Sequence, residues 1–285
     1  MIHKKINIVI LFIIFFIFHC SKKDSSLNQK LILGVLALNQ KSSTTTSNTV
    51  IIIPEDTADT VVSAPNHTGD SGVYRDQSKA VNGVRGAGRN SGSLDVFSLA
   101  TTGTGASIVL EWKGKRILNG AGIDFIVFEN PFLYNNNSNT VFMEPIIVEV
   151  SNDNLNYCGF SPNYINSPET VYSNNPNNWS NFAGITPVLY NIETNPIQGS
   201  DLYNLSKTGG DGFDLDNLSS NNEFNIGCNS SLRDSLKTNG FIYIRLTAAS
   251  ARINSDTSNF FLQDTGALQG GSDIDGVIAR YRTSR

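Results

Sequence analysis

Asp124-Phe125-Ile126-Val127-Phe128-Glu129-Asn130-Pro131 is the stretch that decides the fold class. Its apolar centre holds two aromatic and two β-branched residues, has the length of a strand, and ends in an Asn-Pro turn. The same pattern recurs outward along the chain. Ser107-Ile108-Val109-Leu110-Glu111-Trp112 precedes it, and Pro145-Ile146-Ile147-Val148-Glu149-Val150 follows. Phe241-Ile242-Tyr243-Ile244-Arg245-Leu246 and Val277-Ile278-Ala279-Arg280-Tyr281 come later, all set between Gly, Asn, Ser and Pro turns. No amphipathic helical pattern of twelve or more residues appears after about residue 60, and no strand–helix alternation, which argues against doubly wound and TIM-type folds. No repeat of solenoid or propeller period is visible. The expectation is an all-β chain: an antiparallel β-sandwich, jelly-roll-like, with long loops, occupying residues 61–285.

The 285 residues are 39% hydrophobic and 16% charged, which suits a packed body and argues against a disordered chain. Asn and Ser, in runs such as Asn135-Asn136-Asn137, favour turns over helices. The formal net charge is −4, and loss of residues 1–19 would remove Lys4 and Lys5 and no acid. An acidic chain without a basic stripe is a poor partner for nucleic acid and suits cations better. Of three histidines, His3 and His19 lie in the leader, so His67 stands alone in the mature chain. A zinc site with several His ligands is excluded. A nucleophilic triad would have to use His67, whose Pro65-Asn66-His67-Thr68-Gly69 setting reads as a solvated turn.

Met1-Ile2-His3-Lys4-Lys5 followed by an apolar run from Ile6 to Phe18 has the form of a secretory signal. The run is shorter than the ~20 apolar residues of a spanning helix. Ile17-Phe18-His19-Cys20 resembles a loose lipobox, with His19 where a small residue is usual. Residues 1–19 are therefore read as a lipoprotein signal peptide and Cys20 as the acylated residue, a membrane anchor stable when it carries more than one chain. Residues 20–60 read as a flexible Ser/Thr/Asn-rich tether, interrupted by the apolar Leu31–Leu38. That segment is either a short helix on the membrane or packed on the body. The expected location is a membrane surface outside the cytoplasm: the outer membrane or cell surface, or the periplasmic face.

The acids of the body gather at strand ends. Asp124 and Glu129-Asn130 flank one strand and Glu144 opens the next. Gly209-Gly210-Asp211-Gly212-Phe213-Asp214-Leu215-Asp216 and Gly270-Gly271-Ser272-Asp273-Ile274-Asp275-Gly276 are glycine-bordered acidic loops. Glycine lets the backbone curl while several oxygens converge, which is what a hard cation requires. Clustered carboxylates without His or Cys favour Ca²⁺ over zinc or copper. The candidate metal ligands are Glu129, Asn130, Glu144, Asp211, Asp214, Asp273 and Asp275, with Asp273 and Asp275 expected on one side of an extended segment. The competing reading is that these are ordinary turn residues. Cys158 and Cys228 form an even pair in an exported domain and are expected to be bridged.

Residues of about 74–281 resemble an uncharacterised family of bacterial surface proteins and lipoproteins found in spirochaetes and other groups. The stretches that carry it begin with Ser78-Lys79-Ala80-Val81-Asn82-Gly83, Gly105–Glu111 and Asn119–Phe132. They continue through Glu144-Pro145, Val148–Ser151, Phe182–Val188, Gly209–Leu215 and Asp273–Val277. In the last motif Ser272-Asp273 follows Gly271 where the family usually has Gly-Phe-Asp, a departure that keeps both acids. The resemblance implies an exported jelly-roll-like sandwich with acids suited to a metal, and implies no activity.

The reading that follows is a non-enzymatic module for binding or structural roles at the cell surface. Its Tyr- and Asn-rich loops, Leu133–Thr140 and Tyr157–Asn181, suit a glycan or an extracellular protein. The alternative is a carboxylate-based, glycosidase-like enzyme drawing on Glu129, Glu144 and Glu149, the last either solvated or in a groove. Gly86-Ala87-Gly88-Arg89-Asn90-Ser91-Gly92 has the wrong spacing for a dinucleotide fingerprint, and no P-loop occurs.

Overall fold

The computed structural model describes residues 53–64, 72–101, 103–167, 171–220, 227–251 and 271–285. The signal segment, Cys20, the greater part of the tether including Leu31–Leu38, and His67 lie outside the described residues. The body is built mostly of antiparallel strands with few helices, the all-β class expected. Among the described residues no helix is long and apolar enough to cross a membrane.

The larger sheet has five antiparallel strands. In spatial order they are β1 (Thr60–Ser63), β3 (Ser107–Glu111), β13 (Tyr243–Ala248), β8 (Ile146–Ser151) and β9 (Cys158–Gly159). A three-stranded antiparallel sheet runs β12 (Asp211–Phe213), β5 (Phe125–Phe128), β15 (Gly276–Ala279). Among the described residues four two-stranded pieces complete the set. They pair β14 (Asp273–Ile274) with β2 (Phe97–Ser98), and β16 (Arg282–Ser284) with β4 (Lys115–Ile117). The others pair β6 (Phe132–Leu133) with β7 (Val141–Phe142), and β10 (Asn163–Tyr164) with β11 (Trp179–Ser180).

Alternation within strands explains the packing. Ile108, Leu110, Ile244, Leu246, Val148 and Val150 of the larger sheet share one buried cluster with Phe125, Val127, Val277 and Ala279 of the smaller. Phe125 stacks on its ladder partner Phe213, with ring centroids 5.4 Å apart, and meets Phe241 edge-on at the same separation. The opposite face of the smaller sheet is buried too: Ile126, Phe128 and Ile278 pack with Val188, Tyr190 and Leu202. This two-sided burial is why residues 125–128 are continuously apolar rather than alternating. Among the described residues two short α-helices are present, α1 (Leu205–Thr208) and α2 (Ser230–Asn239). Asn229 caps α2 by accepting from Leu232 N at 2.9 Å, and Gly240 ends it at φ 75°.

The boundary expected between tether and body at residues 60/61 is corrected by the structure. Thr57 bridges Ile278, Ala58 is fully buried and donates to Val277 O at 2.8 Å, and Trp112 Nε1 donates to Asp56 O at 2.8 Å. Residues 56–58 thus line an edge of the smaller sheet before the chain enters β1 of the larger one. Their polar composition resembles a tether because backbone groups, not side chains, make most of these contacts. The long loop Tyr157–Asn181 is likewise broken up, by β9, β10 and β11.

Candidate metal centre

Three carboxylates meet at the ends of three strands. Glu129 directly follows β5, Glu144 stands two residues before β8, and Asp273 opens β14. One oxygen from each lies within 4.8 Å of the others. Glu129 is only 1% exposed. Its Oε1 accepts from Asp273 N at 3.0 Å, whereas its Oε2 is buried without a hydrogen-bond partner. Burial, with the negative charges of Asp273 and Asp211, drives its pKa well above the usual carboxylate range.

The surroundings hold this arrangement in register. Asn130 Nδ2 donates both to Asp273 Oδ2 and to Ser93 O, each at 3.0 Å, and Ser98 Oγ donates to Asp273 Oδ1. Asp211 Oδ2 accepts from Ile185 N at 2.9 Å and Thr186 N at 3.4 Å, and burial pushes its pKa to about 6. Gly184 sits at φ 78°, where a Cβ would come within 2.7 Å of Glu144 O. Glycine is required there for the 182–186 segment to pass this close. Ala183 and Ile146 exchange backbone hydrogen bonds of 2.9 and 2.8 Å, fixing that segment beside the start of β8.

Five of the seven expected ligands are therefore neighbours: Glu129, Glu144 and Asp273 as the trio, with Asn130 and Asp211 beside it. Asp214 and Asp275 are corrections. Asp214 accepts from Asp216 N at 2.9 Å and caps the turn Leu215–Asn217, as acids commonly do at such a position. Asp275 is fully buried, accepts from Arg85 N at 2.9 Å, and feels the charges of Asp95 and Arg85. It lies between β14 and β15, where the chain passes from pairing with β2 to pairing with β5, so the simple same-side alternation with Asp273 does not hold. Glu149 is corrected as well. It is 0% exposed and pairs with Arg245 at 2.8 Å across the β8–β13 ladder, so it is neither solvated nor in a groove.

Two features were not legible beforehand. Asp124 is a fully buried clamp, accepting from Gly120 N at 2.8 Å and Leu215 N at 2.7 Å. Ser93 and Ser98 support Asn130 and Asp273 from about thirty residues upstream of Glu129, with no motif to mark them. The glycine-rich 86–92 loop serves pairing instead: Gly86 N and Gly88 N donate to Tyr190 O and Val188 O, both at 3.0 Å. It also borders a cleft of about 770 Å³ whose cations are engaged, Arg85 with Asp95 and Glu193, and Lys207 with Asp201.

No family model, no curated protein and no solved structure matches this chain.

An all-oxygen donor set with clustered negative charge and one buried, unpartnered carboxylate oxygen fits a hard cation. Ca²⁺ takes six to eight oxygens in flexible geometry, whereas Mg²⁺ demands a near-ideal octahedron. Glu129, Glu144 and Asp273 would be the direct ligands, with Asn130 and Asp211 completing or orienting the set.

Proposed function

We propose that this protein is an exported lipoprotein, anchored through acylated Cys20, whose body is a jelly-roll-like β-sandwich stabilised by Ca²⁺. It serves a binding or structural role at the cell surface rather than catalysis, in keeping with the surface-protein family it resembles. The observation that carries the reading is the unpartnered Oε2 of buried Glu129 within the Glu129–Glu144–Asp273 trio. A buried carboxylate oxygen without a partner is costly, and a cation among three carboxylates relieves that cost. Ca²⁺ is abundant outside the cytoplasm, so the site and the leader point the same way. The Cys158–Cys228 bridge, with Cα atoms 5.1 Å apart, also suits an oxidising compartment.

The glycosidase-like alternative is less well supported. Glu129 is buried too deeply to reach a sugar, and Glu149 is committed to Arg245.

The test is a thermal melt of the full chain after chelation, with Ca²⁺ or Mg²⁺ added back. Ca²⁺ at a hundredfold over Kd should stabilise by about 2.7 kcal/mol and raise Tm, and Mg²⁺ should do less. Glu129→Gln, which retains an acceptor for Asp273 N, should hold or raise the cation-free Tm and abolish the Ca²⁺ shift. Absence of a shift in the unsubstituted chain would refute the cation site. Separately, Cys20→Ala should release the chain from the membrane fraction; retention there would refute the lipid anchor.

A further inference from the structure

The hairpin that joins two of the proposed cation ligands has an aromatic outer face. β6 and β7 run between Asn130 and Glu144, pairing Phe132 with Phe142 and Leu133 with Val141. Leu133 and Val141 face inward, into the cluster that contains Met143, Tyr164 and Trp179. Phe132 and Phe142 lie on the other face, stacked with centroids 4.9 Å apart and planes 15° from parallel. Tyr134 adds a third ring, 6.1 Å from Phe132 and 6.3 Å from Phe142. All three are partly exposed, and none belongs to the buried clusters of the described residues.

Beyond these rings the tip is built from amides and hydroxyls. Asn135 and Asn136 hold φ values of 51° and 59°, a region tolerated by asparagine more readily than by most residues. Tyr134 N donates to Thr140 O and Asn137 N to Tyr134 O, both at 2.8 Å, and Thr140 N to Asn137 O at 3.0 Å. The tip is thus a closed, ordered turn. From Phe132 to Met143 the hairpin carries no charged residue at all.

We propose that this Phe132–Tyr134–Phe142 face binds a neutral saccharide, an inference that rests on reading the protein as a surface binding module. A pyranose presents an apolar C–H face and a rim of hydroxyls. The stacked rings match the first, and the Tyr134 hydroxyl with the neighbouring Asn amides matches the second. Nucleic-acid bases also stack on such rings, but phosphates need cations, and the hairpin has none on a chain of net charge −4. A second copy of the chain is disfavoured by size. Three rings that are each only partly exposed offer far less than the roughly 1,000 Å² of a stable interface. The polar tip does not suit insertion into lipid. Both ends of the hairpin lead into the carboxylate trio, so a bound cation would brace the platform.

The experiment is calorimetric titration of the full chain, in saturating Ca²⁺, with maltotriose, cellotriose, lactose and N,N′-diacetylchitobiose. At least one should bind. Phe142→Ala and Tyr134→Ala should each weaken it tenfold or more while the Ca²⁺-induced Tm shift persists, and Phe142→Trp should preserve binding. Should Phe142→Ala fail to fold, Tyr134→Ala decides, because Tyr134 lies beyond the paired residues. No binding by any of the four sugars, or binding indifferent to both alanine variants, overturns the proposal. So does a dimer in sedimentation that Phe142→Ala dissociates. Loss of the Ca²⁺ shift in the unsubstituted chain would instead strike the cation reading, so the two failures are told apart.

Discussion

Asp124, outside the proposed metal centre, carries a pH signature of its own. Burial, opposed by the Leu215 and Gly120 N–H groups and assisted by the nearby charges of Asp214 and Asp216, raises its pKa from 3.8 to about 6. The folded state therefore holds this proton more tightly than the unfolded chain does. Its contribution is fully present below about pH 4 and is lost as pH rises through 6, a span worth up to about 3 kcal/mol. In chelator, the stability difference between the unsubstituted chain and Asp124→Asn, followed by urea unfolding, should shrink steadily from pH 4 to pH 7. A difference that stayed flat with pH would show that Asp124 does not titrate in this range. Nothing in the neighbouring residues announces this role. Asp124 reads as a strand-opening turn residue until Leu215, 91 positions away, is seen to donate to it.

At the scale of elements, the β8–β13 ladder contains an ion pair set between the apolar pairs Ile244–Val150 and Leu246–Val148. Glu149 and Arg245 are directly opposed in the register, and the Arg245 guanidinium also lies 3.8 Å from the Tyr157 ring centroid. Removing one member of a buried pair strips the other charge of that partner and is costly, whereas replacing both by apolar groups is far milder. Arg245→Met should therefore cost about 3–5 kcal/mol in urea unfolding, and Glu149→Met with Arg245→Met should recover most of it. Equal losses in the single and double variants would contradict the pairing. The strand itself was legible, since Ile146-Ile147-Val148 and Val150 are plainly β-forming. The partner was not, because register across 96 residues is not written in either segment alone.

For the whole molecule, the Cys158–Cys228 bridge closes a 70-residue separation and ties β9, at one edge of the larger sheet, to the residue that precedes the cap of α2. In the chain-entropy picture a loop of this size contributes about 4 kcal/mol. Reduction, or Cys158→Ala with Cys228→Ala, should lower stability by roughly that amount and steepen proteolysis. Two titratable thiols in the unreduced, denatured chain would rule the bridge out. The larger sheet also depends on distant partners: β13 lies between β3 and β8, strands that precede it by about a hundred residues or more. Such non-local pairing places much of the fold's stability in contacts that close late.

Strand character, the all-β class and most of the acids that converge could be read from the sequence by itself. Each depends on local chemistry: β-branched and aromatic runs, turn residues at their ends, and carboxylates placed where strands stop. Which acids meet was decided only by tertiary structure. Asp273 and Asp275 are two residues apart, yet the change of sheet partner between them sends one to Glu129 and the other to Arg85. Glu129 and Glu144, fifteen apart, come together because the β6–β7 hairpin folds the chain back between them. Burial of Glu129 has the same origin. Its lack of a partner for Oε2 is a property of the packed sheets, and no spacing of letters could have announced it.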